Sequence, residues 1–522
     1  MPSPYMSGCA TFGGTARAAR RFGAVARRLG RTELMVTPVG FGGYRIHADS
    51  PLHRQALEEA MRAGINLLDT SANYTEGGSE KLIGEVLTTL VAQEVIRRDE
   101  IVVVTKAGYL QGAALEAVLG GGAPRPPEVV EYQPTCWHCL HPSFLASELE
   151  ESRARLGLAT IDVVLLHNPE YYLVDRRNRC GEVTEEDRVE LLRRIAAAFA
   201  FFEEEVKRGT IGAYGVSSNT FSAPNDDPTQ LSLEGLIAAA RAVAEDHHFA
   251  VVQTPLNIYE TGALQPRQTA REGLRSVLDI AAAADLGVLT NRPLTAFIYG
   301  DEPRVIRLTD VEHRDGARSQ DSDALLRAVC ELEDQWRAGL GKELAARSGD
   351  PRFVDLFRWG RELTSGVRTI RDLGHWMQLR NGVIATHMGQ LGGILLASLE
   401  GEALLRFSSF WDEYGAGLGA ALDGVEDGFR ARARAVVDMI SDRLAPALPA
   451  EARGLALSQR AVLSLLGAPI ACVLVGMRKP AYVHDMRDLG PYVERLREGA
   501  EPRSTIDLEA LVEAFAPVKP LH

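Results

Sequence analysis

The chain has 522 residues, a formal net charge of −13 at pH 7 and a hydrophobic fraction of 46%. This composition is typical of a globular protein, and the length exceeds that of one ordinary domain. The acidic balance argues against nucleic acid or an anionic membrane as the main partner, and no apolar run reaches the roughly 18 residues of a transmembrane helix.

The N-terminal residues 1–26 contain arginines and small residues but no continuous apolar core, so we expect no secretory signal here. Arginine without acidic residues is a weak feature of transit peptides, and the simpler interpretation is a disordered or loosely docked arm. The six cysteines are widely dispersed, which does not suit a disulfide scaffold. A reducing, cytoplasmic location is therefore expected.

Short β-branched runs then alternate with helical patterns. The first residues past the arm, RRLGRTELMV, predict a short hairpin that turns at Gly30–Arg31. Eight strands are predicted at 36–43, 65–70, 101–108, 161–168, 212–218, 249–257, 286–294 and 470–477. Strands joined by helices at this interval run parallel, and eight such units predict an α/β fold of the (β/α)8 TIM-barrel type rather than an open doubly wound sheet.

A long segment, 301–450, separates the seventh strand from the eighth, so the barrel is expected to comprise 27–300 and 451–522. The segment begins with a polar stretch and continues with helical periodicity rich in Ala, Leu, Glu and Arg. We interpret it as an α-helical insertion. Because it leaves from the carboxyl end of a strand, a lid over the barrel mouth is the preferred role, and an oligomer interface is the alternative.

Three consecutive predicted strands end an apolar run with an ionisable side chain. Asp69 ends the second strand, Lys106 the third and His167 the fourth, and Tyr74 follows in the loop after Asp69. Alone, each residue is better explained as a turn former or a solvated side chain. Because active sites of TIM barrels lie at the carboxyl ends of the strands, the four together predict a catalytic site.

The four residue types suggest one kind of chemistry. A tyrosine phenol has a pKa near 10, and a neighbouring ammonium such as that of Lys106 lowers this pKa by favouring the phenolate. Asp69 would keep Lys106 charged and oriented, and His167 would donate a hydrogen bond to a substrate oxygen. The set suits delivery of a proton to a carbonyl oxygen as hydride arrives at the carbon.

The sequence resembles the aldo-keto reductases. The motifs that carry the resemblance include AGINLLDTSANYTEGGSEKLIGEVL, VVVTKAG, RLGLATIDVVLLHN, EEVKRGTIGAYGVSSNTF and LSQRAVLSLLG followed by VLVGMRKP. The family's catalytic tetrad would fall on Asp69, Tyr74, Lys106 and His167. The resemblance implies a nicotinamide-dependent reduction of an aldehyde or ketone, or the reverse oxidation of an alcohol, on a small-molecule substrate.

The resemblance also implies a set of cofactor-binding residues at the strand ends. They are Gly42, Gly43, Tyr44, Asn168, Ser217, Ser218, Asn219, Gln253, Arg292, Pro293, Leu294, Gly476, Met477, Arg478 and Lys479. The adenosine 2′-phosphate of NADP is a dianion that arginine can bind with two parallel hydrogen bonds. Arg478 and Lys479 therefore favour NADP over NAD, although two solvated cations after a strand would look the same.

The chain departs from the family pattern in several places. Leu256 stands where an aromatic residue usually stacks on the nicotinamide, Arg292 stands where serine is common, and Tyr482 and Met486 lie near the usual adenine-binding positions. These departures and the long insertion leave a second hypothesis open, a cofactor-sensing protein with a binding or regulatory role and little turnover. The intact tetrad argues against it. Substrate identity and oligomeric state are not determined by the sequence.

Two further motifs are weaker. The stretch CWHCLH at 136–141 resembles half of a metal site, but zinc sites need a second ligand pair and the sequence offers no such cluster. We therefore predict no metal and interpret the stretch as structural or as part of a substrate loop. The run Gly120–Gly121–Gly122 lacks the strand-to-helix setting of a phosphate cradle and is interpreted as a flexible linker.

Overall fold

The computed structural model describes residues 5–23, 26–271, 273–298, 304–311, 321–497 and 506–515. The chain divides into two compact units, Met1–Thr309 with Arg443–His522 and Asp310–Asp442. Each is described by itself. Across the described part of the chain, no helix is both long enough and apolar enough to cross a membrane.

The first unit contains the predicted barrel. Eight strands close into a cylinder in which each strand pairs in parallel with its neighbours in chain order, and the last pairs with the first. The strands are β1 Val39–Gly42, β2 Leu67–Asp69, β3 Val102–Ala107, β4 Ile161–His167, β5 Ile211–Ser217, β6 Phe249–Pro255, β7 Gly287–Asn291 and β8 Cys472–Val475. The (β/α)8 prediction is confirmed.

Residues with two different environments alternate along the strands. Side chains that face the barrel interior form one buried apolar cluster with Leu29 and Val36 of the preceding hairpin. The interior positions in this cluster are Leu67, Val102, Val104, Val163, Leu165, Ala213, Val251, Leu289, Cys472 and Leu474. Their strand neighbours, such as Leu68 and Val103, pack in a separate cluster with the surrounding helices. The period-two alternation of a strand therefore assigns every strand residue to one side of the barrel wall.

Helices surround the barrel. Their bounds are Pro51–Arg62, Gly78–Ala92, Pro142–Leu156, Tyr171–Cys180, Glu185–Arg208, Leu233–Val243, Val277–Ala283, Leu457–Leu465, Pro480–Arg487, Gly490–Arg497 and Leu508–Ala514. The N-terminal caps of two of these helices explain where the helices begin. Ser50 accepts a hydrogen bond from the His53 amide before the first helix, and Thr184 and Asp187 form a reciprocal capping box before the longest one.

Short antiparallel pairs complete the first unit. The predicted hairpin pairs Arg27–Arg28 with Met35–Val36 around a 3-10 turn at Gly30–Thr32. Two other pairs join Gln268–Ala270 to Gly273–Arg275 and Thr295–Ile298 to Arg304–Arg307.

The N-terminal arm is ordered where the structure describes it, so the expectation of a disordered or loosely docked arm is wrong for 5–23. A helix spans Phe12–Arg21, and its Ala18 and Ala19 side chains are fully buried. The backbone of Ala10 donates to the Asp162 carboxylate at 2.7 Å. The small residues that suggested flexibility are those that allow this close packing.

An excursion of three antiparallel strands follows β3. It consists of Tyr109–Gln111, Val130–Gln133 and Cys136–His138, with a helix at Gly112–Leu119 between the first two. The cysteine- and histidine-containing stretch is therefore largely a buried strand rather than a loop. The triple glycine follows the helix, and the Gly120 and Gly122 amides donate to helix carbonyls, so it ends a helix.

The second unit, Asp310–Asp442, is helical. Its α-helices are Ser322–Ala338, Leu340–Ser348, Trp359–Gly366, Leu373–Gln378, Ala385–Ser398 and Gly401–Leu444, the last of which continues past the unit's boundary. They enclose their own core, in which Trp336, Phe357 and Tyr414 are nearly or fully buried. The buried Glu333 carboxylate accepts from the Tyr414 hydroxyl at 3.0 Å and from the Gly360 amide at 2.6 Å. This unit thus has the core of an independent domain.

Candidate active site

A layer of polar side chains lies at the carboxyl ends of the strands. Each of its members lies two residues beyond an apolar interior position of the same strand, or four residues beyond in the case of Ser217, so alternation turns it toward the barrel axis. The layer consists of Asp69 on β2, Lys106 on β3, His167 on β4, Ser217 on β5, Gln253 on β6 and Asn291 on β7. The three ionisable residues predicted at strand ends are therefore neighbours.

Lys106 is the centre of the site. Its Nζ donates to Asp69 Oδ2 at 2.8 Å, to the Thr70 carbonyl at 2.8 Å and to the Tyr74 hydroxyl at 3.2 Å. An ammonium has three protons, so these contacts use all of them. The Lys106 side chain is fully buried. Its orientation is fixed, and the Tyr74 phenol is held against a cation.

The charges of this group depend on one another. Burial alone would lower the pKa of Lys106, but Asp69 and Tyr74 raise that pKa above its ordinary value. Burial raises the pKa of Asp69, and Lys106 and Gln253 act against that rise. An ammonium that donates to the carboxylate in this geometry keeps both groups ionised at neutral pH.

Tyr74 differs from the sequence-based expectation in the net direction of its pKa. Burial raises the pKa of Tyr74 above its ordinary value, and the lowering effect of Lys106 only partly offsets this. Lys106 therefore acts in the expected direction but does not dominate. The consequence is a phenol that keeps its proton at neutral pH.

His167 is held on both sides. Its ring Nδ1 lies 3.1 Å from the Ser71 hydroxyl, and its backbone carbonyl lies 2.7 Å from Nε2 of His138. Burial lowers the pKa of His167 well below its ordinary value, and Lys106 and His138 add to this. The imidazole is therefore neutral at physiological pH, and its two nitrogens have different roles.

Aromatic side chains surround the tetrad. Tyr44 packs edge-on against Tyr74 with ring centroids 5.2 Å apart, and Tyr109 lies 4.7 Å from the His167 ring. Tyr109 accepts a hydrogen bond from Asn168 Nδ2 at 2.7 Å and donates to the Tyr171 hydroxyl at 2.9 Å. Tyr109 comes from the three-stranded segment after β3, which therefore contributes a wall beside His167.

Several residues at this end of the barrel adopt left-handed backbone conformations that non-glycine residues rarely take. They are Arg45 after β1, Thr75 and Glu76 after β2, Asn168 after β4 and Arg292 after β7, with φ between 49° and 69°. Such strain persists only where the surroundings enforce it, and it is concentrated at functional sites.

Five of the predicted cofactor residues lie together at the carboxyl ends of β4, β5 and β6. The structure brings Asn168, Ser217, Ser218, Asn219 and Gln253 to adjacent strand ends, where Asn168 N donates to Ser217 O at 2.7 Å and Ser218 N donates to Gln253 O at 3.0 Å. The buried Glu170 carboxylate accepts from the Asn219 amide at 2.8 Å. Burial raises the pKa of Glu170 to about 7.

Several of the predicted cofactor residues have side chains that contact other protein groups, and Gln253 and Arg292 have the strongest such contacts. Gln253 donates to Asp69 and accepts from Asn291 and Ser217. Arg292 forms an ion pair with Glu260 at 2.8 Å and lies over the Phe297 ring. The Arg292 guanidinium therefore makes protein contacts in this structure.

The remaining predicted positions border β1, β7 and β8. Gly43 lies where a Cβ would come within 2.7 Å of both the Asp69 carbonyl and the Ser79 hydroxyl, so a side chain there would displace the strand that carries Asp69. Pro293 and Met477 are buried, Leu294 is half-buried and Gly42 is buried in β1. Gly476 and Arg478 are exposed, and Lys479 lies over the Tyr482 ring with its Nζ 5.5 Å from the centroid.

Sequence reasoning missed Ser71, His138, Tyr109 and Asn291. Ser71 and Asn291 had a usable signal, since each belongs to or directly follows a strand end. His138 lay within the motif considered for metal. Among the residues that the structure describes, no three or more His, Cys, Asp or Glu side chains converge as metal ligands.

Comparison with known proteins agrees with this geometry. Residues 38–226 match the sequence model of the Aldo/keto reductase family, and they contain Asp69, Tyr74, Lys106 and His167. This part of the chain is therefore similar to the Aldo/keto reductase family.

Individual relatives match over shorter regions. A D-threo-aldose 1-dehydrogenase of Pseudomonas is 28% identical over 42% of this chain and 62% of its own length. An NADH-specific methylglyoxal reductase of Escherichia coli is 29% identical over 27% of this chain and 40% of its own length. The chain thus spans less than two thirds of these relatives. The solved structure of a Gluconobacter oxydans glycerol dehydrogenase aligns with 17% identity and a TM-score of 0.45, covering 95% of this chain and 98% of that one.

Proposed function

We propose that this protein is an NADP-dependent oxidoreductase that reduces an aldehyde or ketone to an alcohol, or catalyses the reverse reaction, with Tyr74 as general acid or base. The observation that carries the proposal is the position of Lys106, whose ammonium contacts Asp69 at 2.8 Å and Tyr74 at 3.2 Å beside the neutral His167. A binding protein has no physical need for this arrangement.

In the reduction, the bound nicotinamide supplies a hydride to the carbonyl carbon. The Tyr74 hydroxyl donates its proton to the carbonyl oxygen, so the carbonyl becomes an alcohol and Tyr74 becomes a phenolate. Lys106 stabilises that phenolate, which is the product of the proton transfer, and Asp69 keeps Lys106 in place. The phenolate then regains a proton from solvent. In the oxidation, Tyr74 accepts the alcohol proton instead.

His167 orients the substrate oxygen in this scheme. A neutral imidazole donates from only one nitrogen, and donation to a carbonyl requires the proton on Nε2. The Ser71 hydroxyl lies 3.1 Å from Nδ1 and donates its one proton to Asn73 Oδ1 at 2.7 Å. Only when this proton turns from Asn73 to Nδ1 does it leave Nδ1 as an acceptor and Nε2 as the donor. His138 holds the backbone of the same residue, which limits its movement.

The residues at the strand ends fit a nicotinamide cofactor in part. The exposed Asn219 and the neighbouring Ser218 offer polar groups for a carboxamide, and nothing lies within 4 Å of a Cβ placed on Gly476, which leaves room for close approach to the backbone. Gln253 and Arg292 are occupied by protein partners. One relative is described as NADH-specific, so the preference for NADP rests on Arg478 and Lys479 of this chain.

The substrate proposed is a small-molecule carbonyl compound or alcohol, because two relatives are described as acting on an aldose and on methylglyoxal. The alternative of a cofactor-sensing protein with little turnover is not favoured. A cytoplasmic location suits the six cysteines, all within the described residues and all free thiols.

The first experiment is to titrate the purified protein with NADPH and NADH by quenching of intrinsic fluorescence, and then to follow NADPH consumption with a panel of aldehydes, ketones and aldoses. Saturable NADPH binding with carbonyl-dependent consumption supports the proposal. Binding without consumption by any carbonyl compound, together with no alcohol-dependent reduction of NADP, would favour a binding role instead.

A further inference from the structure

Gln253 connects the predicted cofactor residues to the catalytic carboxylate. Its amide nitrogen donates to Asp69 Oδ1 at 2.7 Å, and Lys106 Nζ lies 2.8 Å from both oxygens of the same carboxylate. The carboxylate therefore has two side-chain donors, one cationic and one neutral. Asp69 is 4% exposed and Gln253 is 1% exposed, so water cannot replace either contact.

The orientation of the Gln253 amide is determined by a third residue. Asn291 Nδ2 donates to Gln253 Oε1 at 3.0 Å, and the Ser217 hydroxyl approaches the same oxygen at 3.3 Å. Because a carboxylate accepts but cannot donate, only the amide nitrogen of Gln253 can face Asp69. Asn291 supplies the matching donor on the other side, so both contacts specify the same amide orientation.

We infer that Gln253, oriented by Asn291, is a positioning residue that acts through Asp69 on Lys106 and Tyr74, and that this is its main role rather than contact with the cofactor carboxamide. The hydrogen bonds run in order from Asn291 through Gln253, Asp69 and Lys106 to Tyr74, at 3.0, 2.7, 2.8 and 3.2 Å. The first four residues lie at strand ends of one barrel, and Tyr74 lies in the loop after β2.

The electrostatic consequence follows from the buried carboxylate. Burial raises the pKa of Asp69, and the Gln253 hydrogen bond opposes that rise. Without the amide, the buried Asp69 carboxylate would keep Lys106 as its only side-chain donor, and the ionised form would become less favourable. Asp69 would then take up a proton at a higher pH, and Lys106 would lose the anion that fixes it.

The test uses Gln253→Leu, which removes the amide with a side chain of similar size, and Asn291→Ala, which removes only the residue that orients it. Thr254→Val is the matched control. Thr254 is the next residue on β6, is fully buried, and its hydroxyl has no hydrogen-bond partner in the structure. The control therefore alters the same strand without breaking a hydrogen bond.

The first measurement needs no substrate. A carboxyl whose folded-state pKa is raised favours the folded protein at low pH and disfavours it as pH rises through that pKa. A further rise in Gln253→Leu therefore makes the loss in Tm, relative to wild type, larger at about pH 8 than at about pH 5. A role in packing alone gives the same loss at both values, as we expect for Thr254→Val.

The second measurement rests on the proposed function. We expect Gln253→Leu to lower kcat roughly tenfold or more, as for loss of a charge-assisted hydrogen bond, and to move the acidic limb of the kcat/KM profile upward by about one pH unit. The Kd for NADPH should change less than threefold. This corresponds to a change in binding free energy below roughly 0.7 kcal/mol, since a factor of ten in Kd is about 1.4 kcal/mol. Asn291→Ala should show a smaller fall in kcat and a smaller shift of the acidic limb, again with little change in the Kd for NADPH.

The two measurements separate failure of the inference from failure of the function. A wild-type protein without turnover, but with the pH-dependent loss in Tm, would refute the function and keep Gln253 as a partner of Asp69. A pH-independent loss in Tm with an unmoved acidic limb would overturn the inference. So would a Kd for NADPH raised tenfold or more with kcat intact, since that is the behaviour of a carboxamide contact. If Gln253→Leu does not fold, Asn291→Ala carries both readouts.

Discussion

The Nζ atom of Lys106 lies 3.2 Å from the phenolic oxygen of Tyr74. This contact joins the end of the third barrel strand to the loop after the second, and it determines what the phenol can do. Burial keeps the proton on Tyr74 in the resting protein, and the ammonium stabilises the phenolate once the proton has left. An acid that is protonated at rest and has a stabilised conjugate base is suited to protonate a carbonyl oxygen.

The pH dependence of the two directions should differ. Reduction needs Tyr74 protonated, and the pKa of Tyr74 is raised above 10.0. We therefore expect kcat for reduction to show no alkaline loss below about pH 9, whereas kcat for oxidation, which needs the phenolate, should increase steadily with pH over the same range. Steady-state assays of both directions with one carbonyl and alcohol pair measure this. A fall in reduction centred near neutral pH would contradict the raised pKa.

Arg478→Ala should weaken NADPH binding about tenfold or more and leave NADH binding nearly unchanged, because only NADPH carries the 2′-phosphate dianion. Fluorescence titration with each cofactor measures the effect. Arg487→Ala is the matched control, an exposed arginine that forms an ion pair with the adjacent Asp488 at 3.5 Å. Equal weakening of both cofactors by Arg478→Ala, or an equal effect of Arg487→Ala, would remove the case for NADP.

Ser71→Ala should lower kcat/KM for reduction by roughly tenfold, the lower end of the effect of residues that orient a histidine through hydrogen bonds. The reason is that the Ser71 proton, when it turns from Asn73 Oδ1 to Nδ1 of His167, leaves Nδ1 as an acceptor and places the imidazole proton on Nε2. NADPH binding should be unaffected. Ser152→Ala, which removes a buried hydroxyl from a surrounding helix, should retain wild-type kinetics. An unchanged kcat/KM in Ser71→Ala would mean that the tautomer is fixed in another way.

His138 should make the fold sensitive to acid. Burial lowers the pKa of His138 to about 4, so the folded protein binds a proton there less readily than the unfolded chain. Stability is therefore lost as pH falls from about 6.5 toward about 4, by up to roughly 3 kcal/mol from this group alone. Urea unfolding at several pH values should show a shallower acid loss in His138→Gln, which can still donate to the His167 carbonyl. Parallel acid losses in the two proteins would contradict this.

The barrel was predictable because its signals are local. Each strand carries a β-branched or otherwise apolar run, and each is followed by amphipathic helix. The candidate site residues were predictable for the same reason, since Asp69, Lys106 and His167 each continue the interior-facing alternation of their strand by one step. The same rule applied to the later strands points to Ser217, Gln253 and Asn291, which shows that the whole polar layer is encoded by period-two alternation.

Other features depend on contacts between distant parts of the chain. Whether Gln253 faces a cofactor or a carboxylate depends on Asp69, which lies 184 positions away in sequence. The pairing of Arg292 with Glu260 and the role of His138 behind His167 are equally non-local. The docked N-terminal helix was missed because its small residues resemble a flexible arm until the surface that they contact is known. The roles of the helical unit Asp310–Asp442 as a lid or an interface stay predictions.

The measurement that tests the central claim most directly compares wild type with Tyr74→Phe in the turnover of a carbonyl compound, with NADPH binding measured on the same samples. The phenyl ring preserves the packing against Tyr44 and removes only the hydroxyl that contacts Lys106. We expect kcat to fall by about 10²- to 10⁴-fold, the usual contribution of a general acid, with little change in the Kd for NADPH. Turnover close to wild type in Tyr74→Phe would show that another group donates the proton and would refute the proposed mechanism.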